Sequence, residues 1–68
     1  MRIDTLYEFI LLATNLNFTD TAKSFFIAQS ALSNHISKLE RELSAKLFTR
    51  DNRSVALTKV GKTFLEDA

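Results

Sequence analysis

The chain has no cysteine, no proline and a single glycine, Gly61, in 68 residues. The absence of cysteine excludes a disulfide framework and a thiolate zinc site. The absence of proline and near-absence of glycine argue against a loop-rich or disordered chain and for a helical one. There is one histidine, His35, and no carboxylate cluster accompanies it, so the sequence implies no metal and no cofactor. No apolar run approaches the ~20 residues that cross a bilayer. The opening MRIDTLYEFI carries Asp4 and Glu8 within its apolar stretch and lacks a small-residue cleavage site, so it does not read as a secretory signal. The expectation is a soluble, cytoplasmic protein. No set of nucleophile, base and orienting group is present, so an enzyme reading has no residues to rest on.

What is present is apolar and unevenly charged. Hydrophobic residues make up 46% of the chain and six residues are Phe, enough for the core of one small domain. The net charge of +1 says little, but its distribution says more. Residues 1–37 hold two basic residues against three acidic ones, a net of −1, whereas residues 38–62 hold seven against three, a net of +4. Clustered base of this kind is either a solvated face or a phosphate-binding surface.

The most informative stretch is AQSALSNHISKLERELS, Ala28 to Ser44. At the helical advance of roughly 100° per residue, Leu32, Ile36, Leu39 and Leu43 fall within about 60° of one another and form an apolar stripe. The opposite face carries Ser30, Ser33, Asn34, Ser37 and Arg41. Short hydroxyl and amide side chains of this sort bond phosphate oxygens and base edges, which makes this a candidate DNA-reading helix. Asn34 is the best placed for base readout, Gln29 sits at the helix entrance, and Lys38 suits phosphate. His35 lies between the two faces and reads as a partly buried structural residue. Glu40 and Glu42, beside Lys38 and Arg41, read as members of surface ion pairs.

The rest of the chain supplies a context. A first helix is expected from near Asp4, with Thr5 and Glu8 as a capping box and Leu6, Phe9, Ile10 and Ala13 as its buried stripe, ending at Asn15–Asn17. A second, short helix is expected after Thr19 as N-cap, with Ala22, Phe25 and Phe26 on its apolar side. A break over Ile27–Ser30 then leads into the polar-faced helix, the outline of a helix-turn-helix. Lys46–Arg50 and Arg53–Leu57 flank Asp51-Asn52 and read as a small hairpin with Arg50 and Arg53 at its tip. Thr58 reads as the N-cap of a last helix bearing Val60, Phe64 and Leu65, with Gly61 as a packing accommodation. Phe18, Phe25, Phe26, Phe48 and Phe64 are assigned to the core. The pattern stops at Ala68 without a C-cap signal, as in a piece of a longer protein.

This order is that of a mainly α winged helix-turn-helix: a three-helix core, a β-hairpin wing and the start of a further helix. The residues resemble one family, the N-terminal DNA-binding domain of LysR-type transcriptional regulators. The resemblance rests on Leu6 and Phe9, Phe18-Thr19, Ala22, Gln29, Ala31-Leu32-Ser33, Ile36, Leu39-Glu40, Leu43, Leu47-Phe48, Arg50, Arg53, Leu57-Thr58 and Gly61. It spans nearly the whole chain without gaps. It implies a bacterial transcriptional activator or repressor whose winged helix-turn-helix covers residues 1–58, with the helix-turn-helix at 18–37. Residues 59–68 would begin a linker helix that pairs protomers into a homodimer and, in the whole protein, a higher oligomer. The inducer-binding C-terminal domain would lie outside this chain. The DNA-binding residues it implies are Thr19, Gln29, Ser30, Ala31, Ser33, Asn34, Ser37, Lys38, Arg50 and Arg53, acting on an interrupted dyad in double-stranded DNA.

The departures from the family pattern are local. Ala28 stands where Ser usually caps the reading helix, and Ser30 where Pro is usual, so Ser30 is expected to take over the cap and shift the helix start. Asn34 stands where Arg is usual, which changes the expected base preference from guanine towards adenine. Asn17 and Thr21 replace the commoner Ser and Ala. Ser44 replaces a helix-ending Gly, which makes for a less tidy C-cap. A rival reading is a helical interaction module whose last helix docks a partner through Val60, Phe64 and Leu65.

Overall fold

The computed structural model describes residues 3–50 and 54–67. Among them are helices α1 (Ile3–Asn15), α2 (Phe18–Ser24), α3 (Gln29–Leu43) and α4 (Lys59–Asp67), and strands β1 (Phe48–Arg50) and β2 (Val55–Leu57). The strands pair antiparallel with Phe48 opposite Leu57 and Arg50 opposite Val55. This is the winged helix-turn-helix order. The hairpin tip, Asp51 to Arg53, lies outside the described residues, and with it the wing position expected for Arg53.

One core serves all six elements. Phe9 and Leu12 of α1, Phe18 and Ala22 of α2, Leu32, Ile36 and Leu39 of α3, and Leu47-Phe48 at the wing entrance are buried together. The apolar stripe of α3 thus lies where its period puts it. Leu12, rather than Leu6, shares full burial with Phe9 on α1. Aromatic rings tie the layers: Phe9 meets Phe64 edge-on at 5.1 Å and Phe48 at 5.6 Å, and Phe48 meets Phe18 at 6.3 Å.

Several local expectations are corrected. The N-cap of α2 is Asn17, not Thr19: its side chain accepts from the Asp20 amide, so Phe18 occupies the first helical position and enters the core. Asn15 Oδ1 accepts from the Asn17 amide and from the hydroxyl of Thr21, which is fully buried and so keeps a partner. Glu8 takes no part in a capping box. It is buried, and its carboxylate meets His35 Nδ1 at 2.8 Å, joining α1 to α3. Glu40 does not lie on the surface beside Lys38 and Arg41; its Oε1 is 4.0 Å from the exposed Lys46 Nζ. It too is buried, and its Oε2 accepts from the amides of Leu47 (2.8 Å) and Phe48 (3.3 Å).

Two of the Phe residues expected in the core lie outside it: Phe25 is only half-buried, and Phe26 is 95% exposed. For Phe26 the cause is backbone geometry. After α2 the chain reverses through Phe26 at φ 58°, with Phe26 N–H bonding Lys23 O and Ile27 N–H bonding Ala22 O. This is a Schellman ending, which turns the left-handed residue outward and the next one, Ile27, inward onto the core. Ser44 closes α3 the same way at φ 55°, with Ser44 N–H on Arg41 O and Ala45 N–H on Glu40 O. Leu16 ends α1 at φ 54° with a bond from its N–H to Leu12 O.

Glycine usage is therefore inverted. The left-handed helix ends at residues 16, 26 and 44 carry side chains, while Gly61 sits inside α4. A Cβ at Gly61 would lie 2.7 Å from Leu57 Cδ1 and closer still to the Leu47 carbonyl oxygen. Thr58 caps α4 as expected, accepting from the Gly61 amide at 2.9 Å while its hydroxyl donates to Lys46 O at 2.6 Å.

Two substitutions should thus act against their helix propensities. Gly61→Ala gains propensity, yet overpacking against a backbone oxygen should destabilise the fold by about 1–3 kcal/mol. Ser44→Gly should stabilise it by up to about 1 kcal/mol, because an L-residue in the left-handed region is strained. Thermal unfolding followed by circular dichroism checks both: the first midpoint falls and the second rises by several degrees, at roughly 4–8 °C per kcal/mol for a domain of this size.

Candidate nucleic-acid interface

The candidate surface is built on the outer face of α3. With the stripe of Leu32, Ile36 and Leu39 buried, Gln29, Ser30, Asn34, Lys38 and Arg41 are exposed, and Ala31, Ser33 and Ser37 are half-buried. The start of α3 is not shifted. Ala28 is the N-cap in an extended conformation, no side chain caps the helix, and Ser30 lies inside the first turn. The expectation that Ser30 takes over the cap is therefore corrected: Ala28 already has the extended backbone a cap requires, and Ser30 is already helical. The first-turn amides of α3 consequently have no side-chain acceptor, and they carry the positive end of a 15-residue helix.

Two side chains from other elements reach α3. Thr19, in the first turn of α2, donates from its hydroxyl to Gln29 Oε1 at 3.1 Å. Arg50, the last residue of β1, donates from Nη1 to Ser33 Oγ at 2.9 Å. The Arg50 guanidinium also lies over the ring of Phe18, 4.1 Å from its centre, a cation–π contact worth about 0.5–1 kcal/mol at an exposed site. Phe18 is thus both a core residue and the platform that aims Arg50. The structure brings Thr19 to Gln29 and Arg50 to Ser33. Among the described residues, Ser30, Ala31, Asn34, Ser37 and Lys38 share the helix face without hydrogen bonds from other elements.

His35 lies on the opposite flank, its side chain 42% exposed, held by the buried Glu8 carboxylate. It serves the α1–α3 junction. Neither the Thr19–Gln29 bond nor the role of Phe18 is visible in the sequence, because each joins elements whose relative placement only the fold supplies. Among the described residues no group of three or more His, Cys, Asp or Glu could hold a metal ion. No helix is long and apolar enough to cross a membrane.

The comparisons with known proteins agree with this geometry. The family described as bacterial regulatory helix-turn-helix protein, lysR family, matches residues 3–62. The chain is 46% identical to the HTH-type transcriptional activator IlvY of Haemophilus influenzae, over all of this chain and 23% of that protein. It is also 46% identical to the regulator ShiR of Corynebacterium glutamicum, with the same coverage. The chain thus spans about a quarter of the length of these relatives. Among solved structures, a complex of the CbnR DNA-binding domain with DNA superposes with a TM-score of 0.92 at 33% identity, covering 98% of this chain and 77% of that one. A BenM DNA-binding domain on catB site 1 DNA gives 0.91 at 34% identity, covering 98% and 75%. These relatives are transcriptional regulators, not enzymes. The chain belongs to the LysR family of bacterial helix-turn-helix regulators.

Proposed function

We propose that the chain is the sequence-specific DNA-binding domain of a LysR-type transcriptional regulator, with α3 in the major groove and the β1–β2 wing on the flanking backbone or minor groove. The observation that carries this reading is the outer face of α3. It joins an uncapped helix N-terminus, exposed amides at Gln29 and Asn34, and hydroxyls at Ser30, Ser33 and Ser37 on one surface. The likeness to domains solved on DNA supports it.

The residues take different parts. Asn34 reads a base edge from the middle of the exposed face. Gln29 reads at the helix entrance, and Ala31 offers its methyl to a thymine methyl. Ser30 and the free first-turn amides receive a phosphate, as helix N-termini do. Ser33, Ser37, Lys38 and Thr19 border the backbone, and Arg50 and Arg53 serve the wing. The whole protein is cytoplasmic and acts as a homodimer on an interrupted dyad. Its protomers pair through a linker helix of which α4 is the start, and its inducer is held by a C-terminal domain beyond residue 68. Val60, 48% exposed on α4, borders an apolar groove with Leu43, Ala45 and Phe64 that suits such pairing.

Asn34→Ala should relax preference at one base pair per half-site, losing roughly 1–3 kcal/mol of discrimination there. Competition binding with singly substituted duplexes measures this; unchanged ratios at every position would remove Asn34 from base readout. Lys38→Ala should weaken all duplexes alike and lower the slope of log K against log salt by roughly 0.9 for the lost phosphate contact. Titrations between low and physiological salt check it, and an unchanged slope means that Lys38 meets no phosphate.

A further inference from the structure

A side-chain amide carries an acceptor at one end and two donors at the other, and which end faces DNA decides which base it accepts. In this fold the choice is made for Gln29 by a residue of another helix. The Thr19 hydroxyl donates to Gln29 Oε1 at 3.1 Å, which anchors the oxygen against α2 and leaves Nε2 as the end turned outward. One helical turn further, the Arg50 guanidinium donates to Ser33 Oγ at 2.9 Å. Ser33 thus has one lone pair engaged from inside the fold and keeps its proton for whatever lies outside. Residues 29 and 33 are i and i+4 on α3 and so share a flank. Both neighbouring groups thus have their oxygen engaged from inside the fold and keep N–H or O–H protons to donate outward.

We propose that Thr19 is a positioning residue that makes Gln29 a one-way donor, so that this flank of α3 selects bases with a keto group in the major groove. The inference rests on the DNA-binding reading above. Guanine presents two adjacent acceptors, O6 and N7, and thymine presents O4; adenine sets an amino group beside its N7 and cytosine presents an amino group alone, and these amino groups would meet the Gln29 N–H bonds head-on. The usual bidentate pairing of Gln with adenine needs the amide oxygen at the base edge, and Thr19 withholds it. Thr19 itself gives its proton to Gln29 and reaches base preference only through that residue. Because Thr19 is exposed, removing its hydroxyl leaves the core untouched.

The test is selection of bound sequences from a random duplex library by the full-length protein and its Gln29→Ala, Thr19→Val and Thr19→Ser variants, each first shown to be folded by circular dichroism. Thr19→Ala replaces Thr19→Val if the latter is not folded. Gln29→Ala identifies the position that Gln29 reads, as the one whose preference disappears. There the parent protein should select guanine or thymine. Thr19→Val should admit adenine, lowering the keto-to-adenine ratio by roughly fivefold to a hundredfold, the range of one bidentate contact. Thr19→Ser, which keeps the hydroxyl, should behave as the parent. An amino base at that position in the parent, an unchanged ratio in Thr19→Val, a Thr19→Ser protein that matches Thr19→Val, or a Gln29→Ala protein with the full parental motif would each overturn the proposal while leaving DNA reading intact. A parent protein that enriches no sequence would overturn the DNA-binding reading and this inference with it.

Discussion

The backbone of Leu47 joins three parts of the molecule. Its N–H donates to the buried carboxylate of Glu40 on α3, its carbonyl accepts from the Thr58 amide at the start of α4, and that same oxygen lies against Gly61. Its side chain is fully buried in the core. A peptide unit removed from water needs both its polar groups satisfied, and here each is satisfied by a different element. The wing leaves α3 at this point and α4 returns to it, so the direction of both depends on one residue's hydrogen bonds. The glycine in α4 follows from this: the helix must approach a carbonyl oxygen more closely than any Cβ allows. Carboxylate bonds to backbone amides are charge-assisted and stronger than neutral ones, which suits Glu40 to hold the wing entrance where Leu47 and Phe48 enter the core.

That junction also sets the candidate surface on α3. Arg50 lies three residues beyond Leu47 on β1, and its guanidinium lies on Phe18 and reaches Ser33. Gln29, Ser33 and Glu40 fall within about 40° of one another around α3. Each is bonded to a different outside group: Thr19 of α2, Arg50 of β1, and the amides at the wing entrance. His35 on the other flank is held by Glu8 of α1. One helix is thus fastened along both flanks, and its outer face is presented at an angle fixed by four polar contacts as well as by the core.

These fastenings mark the limit of what the sequence makes legible. The period of Leu32, Ile36 and Leu39, the cap at Thr58 and the tight packing at Gly61 are local, and each reads directly from spacing or residue type. Glu8 reads as a capping-box residue and Glu40 as a surface ion-pair member, because their actual partners come from elsewhere in the chain. A signal was nevertheless present: each is four residues from a fully buried aliphatic residue, Leu12 and Ile36 respectively. That puts each acid about 40° round the helix from a buried residue, on the shoulder of the stripe, where a carboxylate must find donors. Phe26 was misassigned for a different reason. Its apolar character belongs to the period of α2, but the helix ends two residues earlier, and a left-handed residue points away from the face its helix would have given it. Asn17 prevailed over Thr19 as a cap because Phe18, once in the core, has to lie inside the helix.

The two amides on α3 show how the same group acquires different selectivity. Gln29 lies on the fastened flank, and its oxygen is taken by Thr19. Asn34 lies on the outer face, 140° further round at the helical advance of roughly 100° per residue, beyond the reach of those flanking contacts. Its amide keeps both an acceptor and donors for a base edge, which is the condition for bidentate pairing with adenine. Sequence alone places Asn34 for base readout and Gln29 at the helix entrance, but does not show which end of either amide the fold holds. The fold ties the oxygen of one to α2, so on the DNA-binding reading proposed above discrimination at the helix entrance depends on α2, whereas discrimination at mid-face rests on Asn34.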